Sequence, residues 1–147
     1  MTSHHEKRTV PYAPDQLFDL VADVKKYPEF LPWCVGARIR SKEERLVIAD
    51  LMIGYKLVRE RFTSKVVLDR KNKVIETEFA DGPFKFLHNR WSFAENAEGC
   101  LIDFTVEFEF KSTFLQKIIV VVLFNEAVER MVGAFEDRAH ALYQTKI

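Results

Sequence analysis

The stretch LIDFTVEFEFK, residues 101–111, decides how this chain is expected to fold. Apolar side chains occupy every second position from Ile102 to Phe110, and polar or charged side chains occupy the positions between them. Successive side chains of a β-strand point to opposite faces, so this alternation predicts a strand with one dry, aromatic face and one wet face. The stretch therefore predicts a sheet that covers a hydrophobic core on one side only.

The period of two continues upstream from this strand as far as Trp33. Five interruptions contain polar, glycine or proline residues, near 42–45, 54–56, 71–73, 81–83 and 96–99. These interruptions divide residues 33–111 into about six strands joined by short turns, as in an antiparallel meander. One more short strand is predicted to end at Val10.

The segments on either side of this region have the 3.6-residue period of helices. A helix is expected to begin at about Pro14, because a residue without an N–H suits the first helical turn. Its predicted buried face consists of Leu17, Phe18, Val21 and Val24. A second helical turn is expected between Pro28 and Pro32, and a long amphipathic helix over about 113–144. The apolar stripe of the long helix consists of Phe124, Val128, Met131, Phe135, Ala139 and Leu142.

This order of elements predicts one α+β domain over residues 1–147, in which a sheet covers its apolar face with the C-terminal helix. Six strands offer more apolar surface than a single helix can cover. Either aromatic side chains fill the remaining space, or a ligand pocket is left between sheet and helix. The 13 phenylalanines of the chain would serve either purpose.

Composition excludes several classes of protein. The 22 basic and 22 acidic residues cancel, so no overall field attracts nucleic acid. Two cysteines, Cys34 and Cys100, are too few for a disulfide framework and indicate a reducing compartment. The polar N-terminus is not a secretory signal, and the longest strictly apolar run, 118–124, is far shorter than the ~20 residues of a membrane span. We expect a soluble, cytoplasmic protein.

Signatures of covalent, metal or nucleotide chemistry are missing from the sequence. No nucleophile elbow occurs, the five glycines are scattered, and His4 and His5 are expected to lie in a terminal tail. We therefore predict no catalytic residue, no metal site and no resident cofactor. Glu60 and Asn89 are polar residues on otherwise apolar strand faces, where each would bind a ligand or pair across the sheet. The Glu60 carboxyl group would also serve as a general acid in an enzyme.

Charge is unevenly distributed along the chain. Residues 38–73 contain 11 basic and 5 acidic groups, a net charge of +6, whereas residues 74–109 contain 2 and 8, a net charge of −6. A basic stripe would contact anionic lipid or RNA. The alternative is that adjacent strands of opposite charge pair across the sheet. The stripe consists of Arg38, Arg40, Arg59, Arg61 and Lys65.

The most specific string in the chain is YPEFLPWC, residues 27–34. Two prolines four residues apart define a rigid turn, and its aromatic side chains are too apolar for an ordinary exposed loop. Further motifs follow in order: LFDLVADV at 17–24, FTSKV at 62–66, DGPF at 81–84, WSF at 91–93, FEFKS at 108–112 and MVGAFEDRA at 131–139. Together these motifs resemble the coenzyme Q-binding, START-like family, which also includes polyketide cyclase-like proteins and ribosome-association toxins.

The resemblance implies a helix-grip fold, of the START and Bet v 1 type, in which a curved antiparallel sheet wraps around the C-terminal helix. It implies non-enzymatic binding of ubiquinone or another polyprenyl quinone or isoprenoid lipid, in support of quinone biosynthesis and respiratory electron transport. It also implies transient contact with a membrane surface, peripheral to the inner membrane. Two alternatives remain open: a ribosome-association inhibitor, the toxin of a toxin–antitoxin pair that binds a ribosomal subunit, and a polyketide cyclase-like enzyme.

The expected ligand-binding residues fall into two groups. The aromatic strand face and the helical stripe are predicted to line the cavity, and the turn around residues 27–33, with 83 and 84, is predicted to form its mouth. The full set is Tyr27, Phe30, Leu31, Trp33, Phe62, Phe84, Asn89, Trp91, Phe104, Phe108, Phe124, Val128, Met131 and Phe135.

Overall fold

Seven strands of the computed structural model form one antiparallel sheet, in the spatial order β1-β7-β6-β5-β4-β3-β2. The strands are β1 (Thr2–Val10), β2 (Cys34–Lys42), β3 (Leu46–Tyr55), β4 (Val58–Asp69), β5 (Val74–Asp81), β6 (Phe84–Asn96) and β7 (Gly99–Phe110). The structure describes residues 2–55, 58–81, 84–111 and 124–143.

Strands β2 to β7 form the predicted meander, in which each strand pairs with the next along the chain. The predicted interruptions near 42–45, 71–73 and 96–99 coincide with connections between these strands, and those near 54–56 and 81–83 include residues outside the described ranges. Strand β1 pairs with β7 from Thr2 to Val10, so the expectation that His4 and His5 lie in a terminal tail is wrong. The reason is that the free edge of β7 offers hydrogen-bond partners to the backbone of this polar segment, whatever its side chains are.

The predicted dry and wet faces of the strands are confirmed. On β7, four alternate side chains are at most 7% exposed, namely Ile102, Phe104, Val106 and Phe108. On β4, Phe62 and Val66 are buried whereas Arg59 and Arg61 are exposed. The buried side chains face the concave side of the sheet, and there they form the core with the helices.

Two helices and a 3₁₀ helix complete the fold. Helix α1 (Pro14–Ala22) begins at the predicted proline, and Leu17, Phe18 and Val21 of its predicted buried face are buried. Val24, assigned to the same face, lies beyond the end of α1 and is buried in the next element. The Gln16 side chain caps this helix by accepting a hydrogen bond from the Ala13 N–H at 3.0 Å. The 3₁₀ helix (Val24–Glu29) begins four residues before the predicted turn and contains Pro28. Its first residue is 2% exposed, so the start of this turn is held against the core.

Helix α2 (Phe124–Leu142) corresponds to the predicted long helix, whose expected first part, 113–123, lies outside the described residues. Of the predicted stripe, Phe135 and Ala139 are at most 5% exposed and Met131 is half-buried. Val132, which lies outside the predicted stripe, is 1% exposed. Leu142, assigned to that stripe from its spacing, is 50% exposed at the last residue of the helix. Helical period identifies a face, but burial also requires another element that covers that turn.

Phe135 joins helix α2 to both the 3₁₀ helix and the sheet. The ring of this residue packs edge-on against Tyr27, Phe30 and Trp91, with centroid distances of 5.4, 5.2 and 5.1 Å. Polar contacts along the helix add three more attachments. They are Arg138 to Glu29 at 2.8 Å, Arg8 to Glu136 at 2.9 Å and the Tyr12 hydroxyl to His140 Nδ1 at 3.0 Å. Within the described ranges, no helix is long and apolar enough to cross a membrane.

The start of β7 gives a test of the fold, because it requires glycine. Gly99 has φ of +136°, and a Cβ there would lie 2.5 Å from the Val10 carbonyl oxygen. We expect Gly99→Ala to lower the free energy of unfolding by about 2–3 kcal/mol. The matched control is Gly133→Ala in α2, where a Cβ meets nothing within 4 Å and should stabilise by about 0.5–1 kcal/mol. Urea unfolding measures both, and a Gly99 variant as stable as the wild type would contradict this account of the β6–β7 turn.

Candidate ligand-binding cavity

A cavity of about 300 Å³ lies between the concave face of the sheet, the segment from 24 to 34 and α2. This volume lies at the lower end of the range for small-molecule sites. The chain segment before β2 contributes Val24, Tyr27, Leu31, Pro32 and Trp33, and α2 contributes Met131 and Phe135. The strands contribute Cys34, Leu51, Ile53, Ser64, Val66, Thr77, Phe79, Phe84, Leu87, Asn89, Trp91, Phe104, Val106 and Phe108.

Two aromatic clusters form much of the cavity wall. In the first cluster, Phe84 packs on Phe108 at 5.8 Å and stacks with Phe79 at 6.2 Å. In the second cluster, Trp91 packs on Phe104 at 4.5 Å and on Phe135. Such edge and offset contacts stabilise the rings beyond the effect of area burial alone, so the wall is a defined surface rather than loosely filled space.

A short row of polar side chains separates the two aromatic clusters. Thr77 and Asn89 lie directly opposite each other on β5 and β6, between Val66 of β4 and Val106 of β7. Ser64 lies on the same face of β4, two residues from Val66. The Ser64 hydroxyl oxygen and Asn89 Oδ1 are both shielded from solvent, and neither has a hydrogen-bond partner within the described part of the chain.

The structure brings ten of the fourteen predicted ligand-binding residues to the cavity wall. These ten are Tyr27, Leu31, Trp33, Phe84, Asn89, Trp91, Phe104, Phe108, Met131 and Phe135. Phe30 and Phe62 are not among the lining residues. Phe30 packs behind the wall on Phe135 at 5.2 Å, and Phe62 packs behind it on Phe79 and Phe84, each at 5.2 Å. The side chains of Phe124 and Val128 lie outside the described residues.

The predicted ligand-binding set omits eleven of the lining residues, including the two with hydroxyl side chains on strands, Ser64 and Thr77. Both follow from strand parity, because Ser64 shares a face with Phe62 and Val66, and Thr77 shares a face with Ile75 and Phe79. Small hydroxyl residues attract less attention than a carboxylate or an amide. Glu60, in contrast, is exposed at the end of β4 where it pairs with Ile53, so it does not act inside the cavity.

The cavity wall is electrically neutral at neutral pH. None of its described lining residues is an acid, a base or a histidine. Burial raises the pKa of the Cys34 thiol, and burial together with nearby Cys34 and Asp23 raises the pKa of Tyr27. The Tyr27 hydroxyl donates a hydrogen bond to the Val21 carbonyl. The site therefore suits an uncharged ligand, because a buried charge would find no partner.

The predicted basic stripe does not form one continuous surface. Arg40 is paired with Asp50 at 2.7 Å, and Lys65 lies opposite Glu78 on β5. Arg59 and Arg61 precede the first β4–β5 pair and are exposed. Beside them on the outer face, Val35 and Met52 are 58% and 46% exposed. We call these four residues, Val35, Met52, Arg59 and Arg61, the outer patch.

Comparison with known proteins is consistent with this architecture. The family model described as "Polyketide cyclase / dehydrase and lipid transport" matches residues 10–136. The chain belongs to this family. The resemblance inferred from the motifs is thereby confirmed.

Two curated relatives differ in their named roles. The chain is 39% identical over 142 residues to the ribosome association toxin RatA of Rickettsia prowazekii, covering 95% of this chain and 97% of that protein. It is 34% identical over 145 residues to the mitochondrial coenzyme Q-binding protein COQ10 homolog B of Xenopus laevis, covering 95% of this chain and 59% of that protein. The named roles of these relatives, one a toxin and one a binding protein, are not enzymatic.

Solved structures confirm the helix-grip fold. A START superfamily protein from Mycobacterium smegmatis superposes with a TM-score of 0.76 at 18% identity, covering 96% of this chain and 97% of that one. The Zhui aromatase/cyclase from Streptomyces sp. R1128 superposes with a TM-score of 0.82 at 16% identity, covering 97% and 98%. At these identities the likeness concerns the fold alone.

The buried hydroxyl of Tyr27 predicts a pH dependence of stability. Because its pKa is raised in the folded protein, its contribution is complete below about pH 10, the pKa in the unfolded chain, and is lost as the pH rises further. Between about pH 9 and about pH 11 we expect the wild type to lose about 1 kcal/mol more stability than Tyr27→Phe. Urea unfolding at both pH values measures this difference, and equal losses in the two proteins would argue against a buried, neutral Tyr27.

Proposed function

We propose that this protein binds an uncharged hydrophobic lipid in its cavity without transforming it, and that the lipid is ubiquinone or a related polyprenyl quinone. The observation that carries the proposal is the neutral cavity, whose apolar wall contains two aromatic clusters. The flat faces of these side chains match a planar ring, and each Å² of apolar surface buried on binding contributes about 25 cal/mol. The name of the COQ10 relative supports the same ligand class.

The volume of the cavity limits which part of such a lipid is enclosed. About 300 Å³ corresponds to roughly ten water molecules, which is enough for a ring head group and the first part of a tail. The remainder of a long isoprenoid tail would pass out of the cavity, toward a membrane surface at which the protein binds peripherally. In this role the protein shelters the head group and supports quinone biosynthesis and respiratory electron transport.

Cys34 and Cys100 provide a direct test of occupancy. Cys34 lines the cavity, whereas Cys100 is buried at the start of β7 outside it, where burial raises the pKa of its thiol to about 11. We expect ubiquinone with one isoprene unit, whose fully substituted ring does not add thiols, to slow alkylation of Cys34 about tenfold or more and to leave Cys100 unchanged. Mass spectrometry of the labelled peptides measures both rates in one sample.

The natural ligand is identified by native mass spectrometry and lipid extraction of the protein purified from its own host. A bound quinone would support the proposal. Unchanged Cys34 labelling over a full titration with the one-isoprene quinone, together with no lipid in the extract, would contradict it.

Ribosome association is the second candidate function. It is supported by the name of the RatA relative, which matches nearly the full length of this chain, and by the outer patch, in which two exposed arginines flank exposed apolar side chains. Phosphate contacts by arginine would make such binding strongly dependent on salt. The patch lies on the outer face of the sheet and the cavity lies on the other face, so ribosome binding and lipid binding would use different residues.

A double charge reversal, Arg59→Glu with Arg61→Glu, separates the two functions. If the cavity carries the function, lipid occupancy should be unchanged, and binding to anionic vesicles should weaken by about 1 kcal/mol per charge. The control reverses Lys42 and Lys71, which are exposed near the opposite end of the sheet. Co-sedimentation with ribosomal subunits across a salt series is measured beside lipid extraction. Ribosome association would be favoured if the wild type and the Lys42/Lys71 control sediment with ribosomal subunits, the Arg59/Arg61 reversal does not, and no lipid is recovered from any of the three proteins.

A further inference from the structure

We propose that Ser64 and Asn89 form a hydrogen-bonding subsite for the oxygenated ring of the lipid, so that the ligand enters head first and its hydrocarbon counterpart is rejected. This inference rests on the proposed function, because it concerns the same cavity. It goes beyond that function by stating that the oxygenated end of the ligand lies innermost and that Ser64 and Asn89 bind its oxygen atoms.

Two polar side chains of the cavity wall carry this inference. Ser64 is 1% exposed, and its hydroxyl oxygen has no hydrogen-bond partner within the described part of the chain. The same holds for Asn89 Oδ1, which is shielded from solvent. Native proteins seldom leave buried polar atoms unpaired, because the lost hydration is then not replaced. Two such atoms in the wall of one cavity indicate that a ligand supplies the missing partners.

The position of the two groups determines how a ligand would lie. Ser64 on β4 lies opposite Phe79 of β5, and Asn89 on β6 lies opposite Thr77 of β5. Their backbones are therefore two strand spacings apart and offset by two residues along the strands, a separation of about 12 Å. The two aromatic clusters lie on either side of the Thr77–Asn89 row. A ring held over this row would face aromatic surface while its edges reach polar groups on two strands, and its tail would follow the apolar wall outward.

The chemistry of the two side chains defines the class of head group. A serine hydroxyl both donates and accepts, and a side-chain amide offers an NH₂ donor and a carbonyl acceptor. Together they would bind carbonyl, methoxy or hydroxyl oxygens on a ring, including both the oxidised and the reduced form of a quinone. Phosphorylated and carboxylated heads are excluded, because no described lining residue carries a compensating charge.

The test compares two probes of similar shape, of which only the first carries oxygen atoms on its ring. The first probe is ubiquinone with one isoprene unit, and the second is pentamethylbenzene with the same prenyl chain. The variants are Ser64→Ala, Asn89→Leu and the two combined, and the control is Ser92→Ala on the outward-facing side of β6. Quinone binding is followed by quenching of tryptophan fluorescence, since Trp33 and Trp91 line the cavity. Hydrocarbon binding is followed by its competition with the quinone, which restores the fluorescence.

We expect the wild type and the Ser92→Ala control to bind the quinone at least tenfold more tightly than the hydrocarbon. A site built to bond an oxygen discriminates against the analogue that lacks it. Each single variant should reduce quinone affinity about threefold to tenfold, and the double variant should bind both probes with similar affinity. Urea unfolding without ligand should show each variant to be as stable as the wild type or more stable, because an unpaired buried polar atom has been removed.

The outcomes distinguish this inference from the function on which it rests. Wild-type protein that binds both probes equally, or variants that retain wild-type preference for the quinone, would overturn the subsite and leave lipid binding intact. Variants that lose ligand-free stability would also overturn it, because Ser64 and Asn89 would then serve the fold. Failure of the wild type to bind either probe would overturn the lipid function together with the subsite.

Discussion

The ring of Phe135 packs against Tyr27, Phe30 and Trp91 and so holds helix α2 over the sheet. It joins three parts of the chain that are far apart in sequence, namely α2, the 3₁₀ helix with the residue after it, and the sheet. A ring that is 5% exposed and packed edge-on by three others is held in one place. This contact therefore determines how far α2 lies from the sheet, and so how much of the concave face stays uncovered.

The part of the sheet that α2 leaves uncovered lines the cavity. Unpaired polar atoms in the cavity wall lower the stability of the fold but provide hydrogen-bonding groups for a ligand. A core selected for stability alone would place apolar side chains at positions 64 and 89, because unpaired buried polar groups destabilise a fold. The remaining wall follows that rule, with aromatic and aliphatic side chains around a neutral space. Departures from local consistency of this kind are expected where a protein interacts with a ligand, and here both belong to the wall of one cavity.

The family to which the chain belongs uses one fold for several named roles, and the two faces of the sheet offer a physical reason. The concave face and α2 enclose a neutral cavity, whereas the outer patch presents two arginines and two exposed apolar side chains to solvent. Because side chains alternate between faces, substitutions on one face leave the other nearly unchanged. Ligand binding in the cavity and partner binding on the outer face can thus diverge separately among relatives, so fold likeness alone does not assign function.

The sequence by itself determined the strands, their faces and the buried stripe of α1, because periods of two and 3.6 record which side of an element avoids water. It also identified ten of the lining residues, since aromatic side chains on one dry face converge when the sheet curves. Tertiary structure decided the rest. Whether Phe30 and Phe62 line the cavity or pack against other rings depends on which elements cover them. Neighbouring elements also determine that Glu60 is exposed, whereas Asn89 Oδ1 and the Ser64 hydroxyl are shielded and unpaired. Periodicity specifies that a face is buried; only the packed elements specify what lies against it.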